Sequence, residues 1–193
     1  MNAHHVRGFN LVELMIVAAI IAILTVVALP NFSAMLQNSN TRSAAESIEN
    51  GIRFAQGEAV RLNRITTFTP TSAGGWTVTY TQMGTADPTT PGSNVLQTQP
   101  NVYSSSVAVS TVTPISFNGL GRAGTAGSFT AASGTTGFTP AAADPAVSYQ
   151  ITNSRSPRRL NVMVSAGGKI RMCDPDRAYD VNTNPDGCPQ ATP

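Results

Sequence analysis

Residues 9 to 29, FNLVELMIVAAIIAILTVVAL, form an apolar run whose one charge is Glu13. A helix that crosses a bilayer needs about 20 apolar residues, with ~17 as the lower end. This run of 21 can therefore span as one helix. A short leader holding His4, His5 and Arg7 ends at Gly8, just ahead of it. A secretory signal peptide places its small-residue cleavage site after the apolar stretch. Here the expected cut, Gly8/Phe9, comes before it. Cleavage there leaves the hydrophobic helix on the mature chain as its new N-terminus.

Glu13 is the unusual residue of the run. A carboxylate inside a membrane segment costs on the order of 2.5 to 3.5 kcal/mol on insertion scales, so it calls for a partner. The nearest is the free amino group of Phe9, one helical turn away, in the same or a neighbouring subunit. The plainer alternative is an ordinary membrane anchor whose interfacial Glu reaches up to the headgroups. Both stay open on the residues alone.

Gly8-Phe9-Asn10-Leu11-Val12-Glu13-Leu14-Met15-Ile16-Val17, with Leu29-Pro30-Asn31-Phe32 further on, resembles a type IV prepilin N-terminus. The resemblance implies that a prepilin peptidase cuts after Gly8 and that the new N-terminal Phe9 is methylated. It implies that Glu13 guides assembly into a helical fibre and that Pro30 marks where the helix bends or melts on packing. It also implies other pilins and minor pilins as partners. The protein would cross the inner membrane once with a periplasmic head, and become extracellular once assembled. Asn10 stands where Thr is commoner in the family.

Charged residues make up 11% of the chain, well below the usual quarter; Ser, Thr, Gly and Ala fill the gap. The net charge of +2 supplies no global field toward nucleic acid or acidic lipid, so any basic patch has to be local. Cys173 and Cys188 are the two cysteines. In an exported head they read as one disulfide, which would stabilise by roughly 3 kcal/mol in the chain-entropy model. A two-cysteine metal site lacks nearby His, since both His lie in the leader.

After Pro30 the helical pattern resumes. Ala34, Ala45, Ile48, Ile52, Ala55, Ala59 and Leu62 recur mostly at three- and four-residue steps, giving one apolar stripe. The spacing predicts one helix from Phe9 to about Asn63, on the order of 80 Å long. Gly51 and Gly57 weaken it by about 1 kcal/mol each relative to Ala. Strands are expected at Trp76–Tyr80, Val107–Val112, Ile115–Phe117, Val147–Ile151, Arg158–Val164 and Lys169–Cys173. Ala166-Gly167-Gly168 reads as the turn between the last two. Stretches 84–101 and 119–146 read as long, turn-rich segments, the second as a mobile loop. The fold class is α+β: a long N-terminal helix whose hydrophobic half protrudes, with an antiparallel sheet packed on its C-terminal half. The chain divides into leader 1–8, hydrophobic helix 9–30 and head 31–193.

Phe117-Asn-Gly-Leu-Gly-Arg122, Leu160-Asn-Val-Met-Val164 and Gly168-Lys-Ile-Arg-Met-Cys-Asp-Pro175 resemble the GspH/FimT group of minor pilins and pseudopilins. Members end in a hairpin strand with a Gly-Arg-x-Arg motif. Here it reads Gly168-Lys169-Ile170-Arg171, with Lys in the first Arg position. In FimT-type members that motif binds DNA during natural transformation. FimU-type members sit in the tip complex that initiates the fibre, and GspH-type members act in type II secretion. The resemblance therefore implies a minor pilin in assembly or the tip complex, with double-stranded DNA as a candidate partner. Its alternative is a GspH-like pseudopilin that binds no DNA.

Lys169 and Arg171 project to one face of a strand, and Arg158, Arg159 and Arg155 precede and open the strand before. Merged into one patch, these cations would give salt-sensitive phosphate binding. Otherwise they pair with Asp174, Asp176, Asp180 and Asp186 as a solvated face worth little. No enzyme is expected: the mature chain has no His and no phosphate-binding loop. No metal-ligand spacing appears, and no cofactor is implied.

Overall fold

The computed structural model describes residues 10–81, 94–101, 106–129, 136–141 and 145–189, the side chains of 27–31, 126–129 and 136–137 excepted. The leader, Phe9 and parts of 84–101 and 119–146 lie outside the described residues.

Helix α1 runs from Leu11 to Leu62, 52 residues, or about 78 Å at 1.5 Å per residue. The Asn10 side chain caps its start by accepting from the Val12 amide, and Asn63 ends it in the left-handed conformation. The assignment continues through Pro30. From Phe32 to Leu36 the side chains are exposed, Ala34 among them. The buried stripe therefore starts at Thr41 and continues through Ala44, Ala45, Ile48, Ile52, Ala55 and Ala59. Ala34 falls off it because no strand among the described residues packs that low on the helix.

The strands are β1 (Thr66–Pro70), β2 (Trp76–Tyr80), β3 (Val95–Gln99), β4 (Val107–Val109), β5 (Ile115–Phe117), β6 (Ala123–Phe129), β7 (Thr136–Pro140), β8 (Val147–Asn153), β9 (Ser156–Val164), β10 (Ile170–Ala178) and β11 (Gly187–Cys188). They form two sheets, ordered β3-β2-β1-β5-β6-β7 and β11-β10-β9-β8-β4. The expected meander is β8-β9-β10, antiparallel throughout. The single small sheet expected from the pattern is thus one of two.

Three strands correct the loop assignments. β3 lies inside 84–101, and β6 and β7 pair with each other inside 119–146. Their Gly, Ala, Thr and Gln residues give no apolar alternation, so the ladder hydrogen bonds define them rather than side-chain pattern. β1 was also illegible, although it is central in its sheet and buries Thr66, Phe68 and Pro70.

Both sheets and α1 share one core. Phe68 of the first sheet sits 5.9 Å from Trp76 and 5.9 Å, edge-on, from Tyr149 of the second. Such pairs add roughly 0.5–1.5 kcal/mol beyond area burial. The polar tips find partners: Trp76 Nε1 donates to Ser47 Oγ at 3.1 Å, and Tyr149 Oη donates to the Thr113 carbonyl at 2.8 Å. Burial pushes the Tyr149 phenol well above its ordinary pKa. Gly51 lets α1 come this close. An added Cβ there would lie 2.7 Å from the rings of both Phe68 and Trp76.

Candidate functional site

Two features stand apart from the core. The first is the N-terminal half of α1. Its apolar side chains from Leu11 to Val26 are solvent-exposed, with Leu11 at 74% and Val26 at 74%. Soluble monomers rarely expose contiguous apolar surface beyond a few hundred Å². Glu13 lies in the first turn of the helix, where the macrodipole favours a carboxylate, and is itself exposed. Among the described residues no helix is long and apolar enough to cross a membrane. The described apolar side chains of this run stop at Val26, while the sequence carries it on through Val27, Ala28 and Leu29.

The second feature is the C-terminal hairpin. Register pairs Ile170 with Val164 and Arg171 with Met163. Lys169 precedes the strand, in the turn, and is exposed. Arg171 is already engaged: its Nη2 donates to the carbonyls of Pro185 at 2.7 Å and Gly187 at 3.1 Å, and its guanidinium lies 4.4 Å from the Tyr179 ring centroid. It latches the tail onto the sheet. The Cys173–Cys188 disulfide, with Cα atoms 4.9 Å apart, closes the same tail. Arg159 pairs with Asp176, and that hydrogen bond and charge raise its pKa.

Arg155 and Arg158 are exposed, and neither is within ion-pair distance of a described carboxylate. They sit at the end of β9 remote from Lys169. Arg158 and Val164 stand six positions apart along β9, about 20 Å. The five cations therefore do not merge into one patch. Nor do they pair off with the tail carboxylates as a group. Arg177 takes Asp174 at 3.9 Å and Asp186 at 3.6 Å, while Asp180 accepts from the Asn182 and Thr183 amides at 2.8 and 3.1 Å.

Gln56 is not marked by any motif in the sequence, and Arg122 appears there only as the end of the Phe117–Arg122 segment. Gln56 Nε2 donates to the carbonyls of Gly121 and Gly168, both at 2.8 Å. The two glycines have φ of 74° and 87°, and a Cβ on Gly168 would overlap the Gly121 carbonyl. Their backbones thus touch, which sets the exposed residues that follow them, Arg122 and Lys169, on adjacent strands of backbone. The available signal was a polar side chain beside the buried stripe of α1.

A long helix, bare and apolar over its first half, with a β-rich head packed on its second, defines a pilin-like subunit. The family model for type II transport protein GspH matches residues 44–187, and the chain belongs to that family. The prokaryotic N-terminal methylation motif matches residues 4–29. Together they place the chain in the type IV pilin superfamily, GspH/FimT type. The motif implies a membrane-anchored pilin with a periplasmic head.

Among solved structures, the chain is similar to two crystal structures of the type IV minor pilin FimU of Pseudomonas aeruginosa strain PAO1. One has a TM-score of 0.49 and 14% identity over 75% of this chain and 99% of that one. The other has a TM-score of 0.44 and 15% identity over 72% and 99%. No curated protein matches at a significant level.

Proposed function

We propose that this chain is a minor pilin that is held in the inner membrane by its N-terminal helix and then joins a type IV fibre or its tip complex. The observation that carries this is the bare apolar half of α1, with Glu13 its one charge, outside a head core that closes without it. Prepilin peptidase cuts between Gly8 and Phe9 and methylates Phe9. Glu13 meets the Phe9 amino group of a neighbour in the fibre, and Pro30 is where the helix yields on packing. The role is structural, not catalytic. The test is Glu13→Ala: fibre incorporation falls while the membrane-held precursor persists. Equal incorporation of variant and wild type rejects the assembly role.

DNA capture for natural transformation is the second reading. It is supported by the meeting of Arg122 and Lys169 at the Gln56 clamp, where their amides are held by Asn118 Oδ1 and Ser165 Oγ and neither cationic group forms an ion pair among the described residues. Arg171 contributes less, being bound to the tail. The full chain in detergent then shifts double-stranded DNA at low salt, and Lys169→Gln with Arg122→Gln removes the shift. No shift by the wild type leaves the GspH-like pseudopilin of type II secretion, which genomic neighbours identify.

A further inference from the structure

We propose that the base of the head docks onto anionic phospholipid headgroups through Arg155 and Arg158, an inference that rests on the membrane-anchored reading above. The turn carrying these residues is tied to α1 where the helix leaves the head. Asn153 Nδ2 donates to the Gln37 carbonyl at 3.2 Å and to Gln37 Oε1 at 3.1 Å, and Ser156 Oγ donates to Asn38 Oδ1 at 2.6 Å. Arg155 and Arg158 are therefore held level with residues 37 and 38.

The distance to the bilayer follows from the helix. The apolar run ends at Leu29, and nine further residues to Asn38 rise about 13 Å. Roughly 5–7 Å of that is headgroup layer. An extended arginine covers most of the remaining few ångströms, and a helix tilt of about 20° lowers one side of the head further. No charge occurs between Glu13 and Arg42, while Phe32, Met35 and Leu36 are 60, 70 and 49% exposed. Nothing along this stretch resists the interface.

The neighbouring ion pairs leave these two arginines without an ion-pair partner among the described residues. Arg42 pairs with Glu46 at 2.8 Å, Arg159 with Asp176, and Arg177 with Asp174 and Asp186. Arg158 shares a cleft with Glu46, Glu49, Asp174 and Asp186, none of them within ion-pair distance of it, while Arg155 lies outside that cleft. A cation near an anionic surface shifts the docked population by about five-fold, and the effect fades within a Debye length of about 8–10 Å. Docking would hold the head against the membrane until the subunit is drawn into a fibre.

The experiment uses the mature full-length chain in lipid nanodiscs, of phosphatidylcholine alone or with phosphatidylglycerol. Arginines are labelled with phenylglyoxal and read by mass spectrometry, with Arg122 as the internal reference. The expected result is about five-fold less labelling of Arg155 and Arg158 in the anionic discs, restored by high salt, with Arg122 unchanged. Equal labelling in both discs overturns this inference and leaves the anchor intact. A chain that enters neither disc overturns both. Protection by added double-stranded DNA in neutral discs, without protection by phosphatidylglycerol, assigns the pair to nucleic acid instead.

Discussion

Gln56 Nε2 on α1 lies 2.8 Å from the carbonyl oxygen of Gly168, 112 residues further along the chain. The same nitrogen holds Gly121. One amide thus ties the β9–β10 turn of the second sheet, the β5–β6 loop of the first and the helix together. Replacing it with Leu removes both donors and leaves two buried-residue carbonyls without that partner, which costs roughly 1–3 kcal/mol per orphaned group at most. Gln56→Leu should lower the urea midpoint measurably and speed amide exchange around Lys169. An unchanged midpoint would mean that water replaces the clamp.

Gly51 and Gly57 look equivalent in the sequence and should behave oppositely. Gly51→Ala drives a methyl into Phe68 and Trp76, an overpacking worth roughly 1–3 kcal/mol of destabilisation. Gly57→Ala meets nothing within 4 Å and should stabilise by up to about 1 kcal/mol, the helix-propensity difference. Thermal unfolding of the two variants decides it; shifts of the same sign would contradict the packing described.

The tail is held twice, by the disulfide and by Arg171. Removing the covalent link with Cys173→Ser and Cys188→Ser opens a loop of sequence separation 15, for a loss of about 3 kcal/mol. Adding Arg171→Gln to that pair should release the tail to proteolysis, while the disulfide-free protein with Arg171 intact resists longer. Equal digestion rates would show that the latch contributes nothing.

Asp180 gives the tail loop a pH dependence. The Asn182 and Thr183 amides hold its carboxyl below the ordinary carboxylate pKa. The folded value is therefore below the unfolded one, about 3.9. Its stabilising contribution is fully present above pH ~4 and is lost as pH falls through the depressed folded value. The protection of the Asn182 and Thr183 amides against exchange, relative to their intrinsic rates at each pH and followed by NMR down an acid titration, should fall only below that point. In Asp180→Asn the step should be absent.

The cationic hairpin shows how far sequence reasoning carried. Alternation from Leu160 to Val164 and the Gly-Gly turn located β9, the turn and the start of β10. The fates of the arginines were another matter. Arg171 and Arg159 look as free as Arg158 along the chain, and only the returning tail, with Pro185, Gly187 and Tyr179, and the neighbouring Asp176 distinguish them. Likewise β6 and β7 read as loop, because strands of small residues are defined by the partners their backbones find.

By itself the order of residues determined the long helix, its bare apolar half with Glu13, and the Cys173–Cys188 closure in an exported head. These follow from local periodicity, the length of an apolar run and a pair of cysteines, none of which needs a distant neighbour. Tertiary structure alone decided that the strands form two sheets, that Gly51 is a contact point and Gly57 is not, and which cations stay unpaired. Those outcomes depend on groups tens of residues apart meeting within a few ångströms, and the pairing energies involved appear only once the backbone has closed around them.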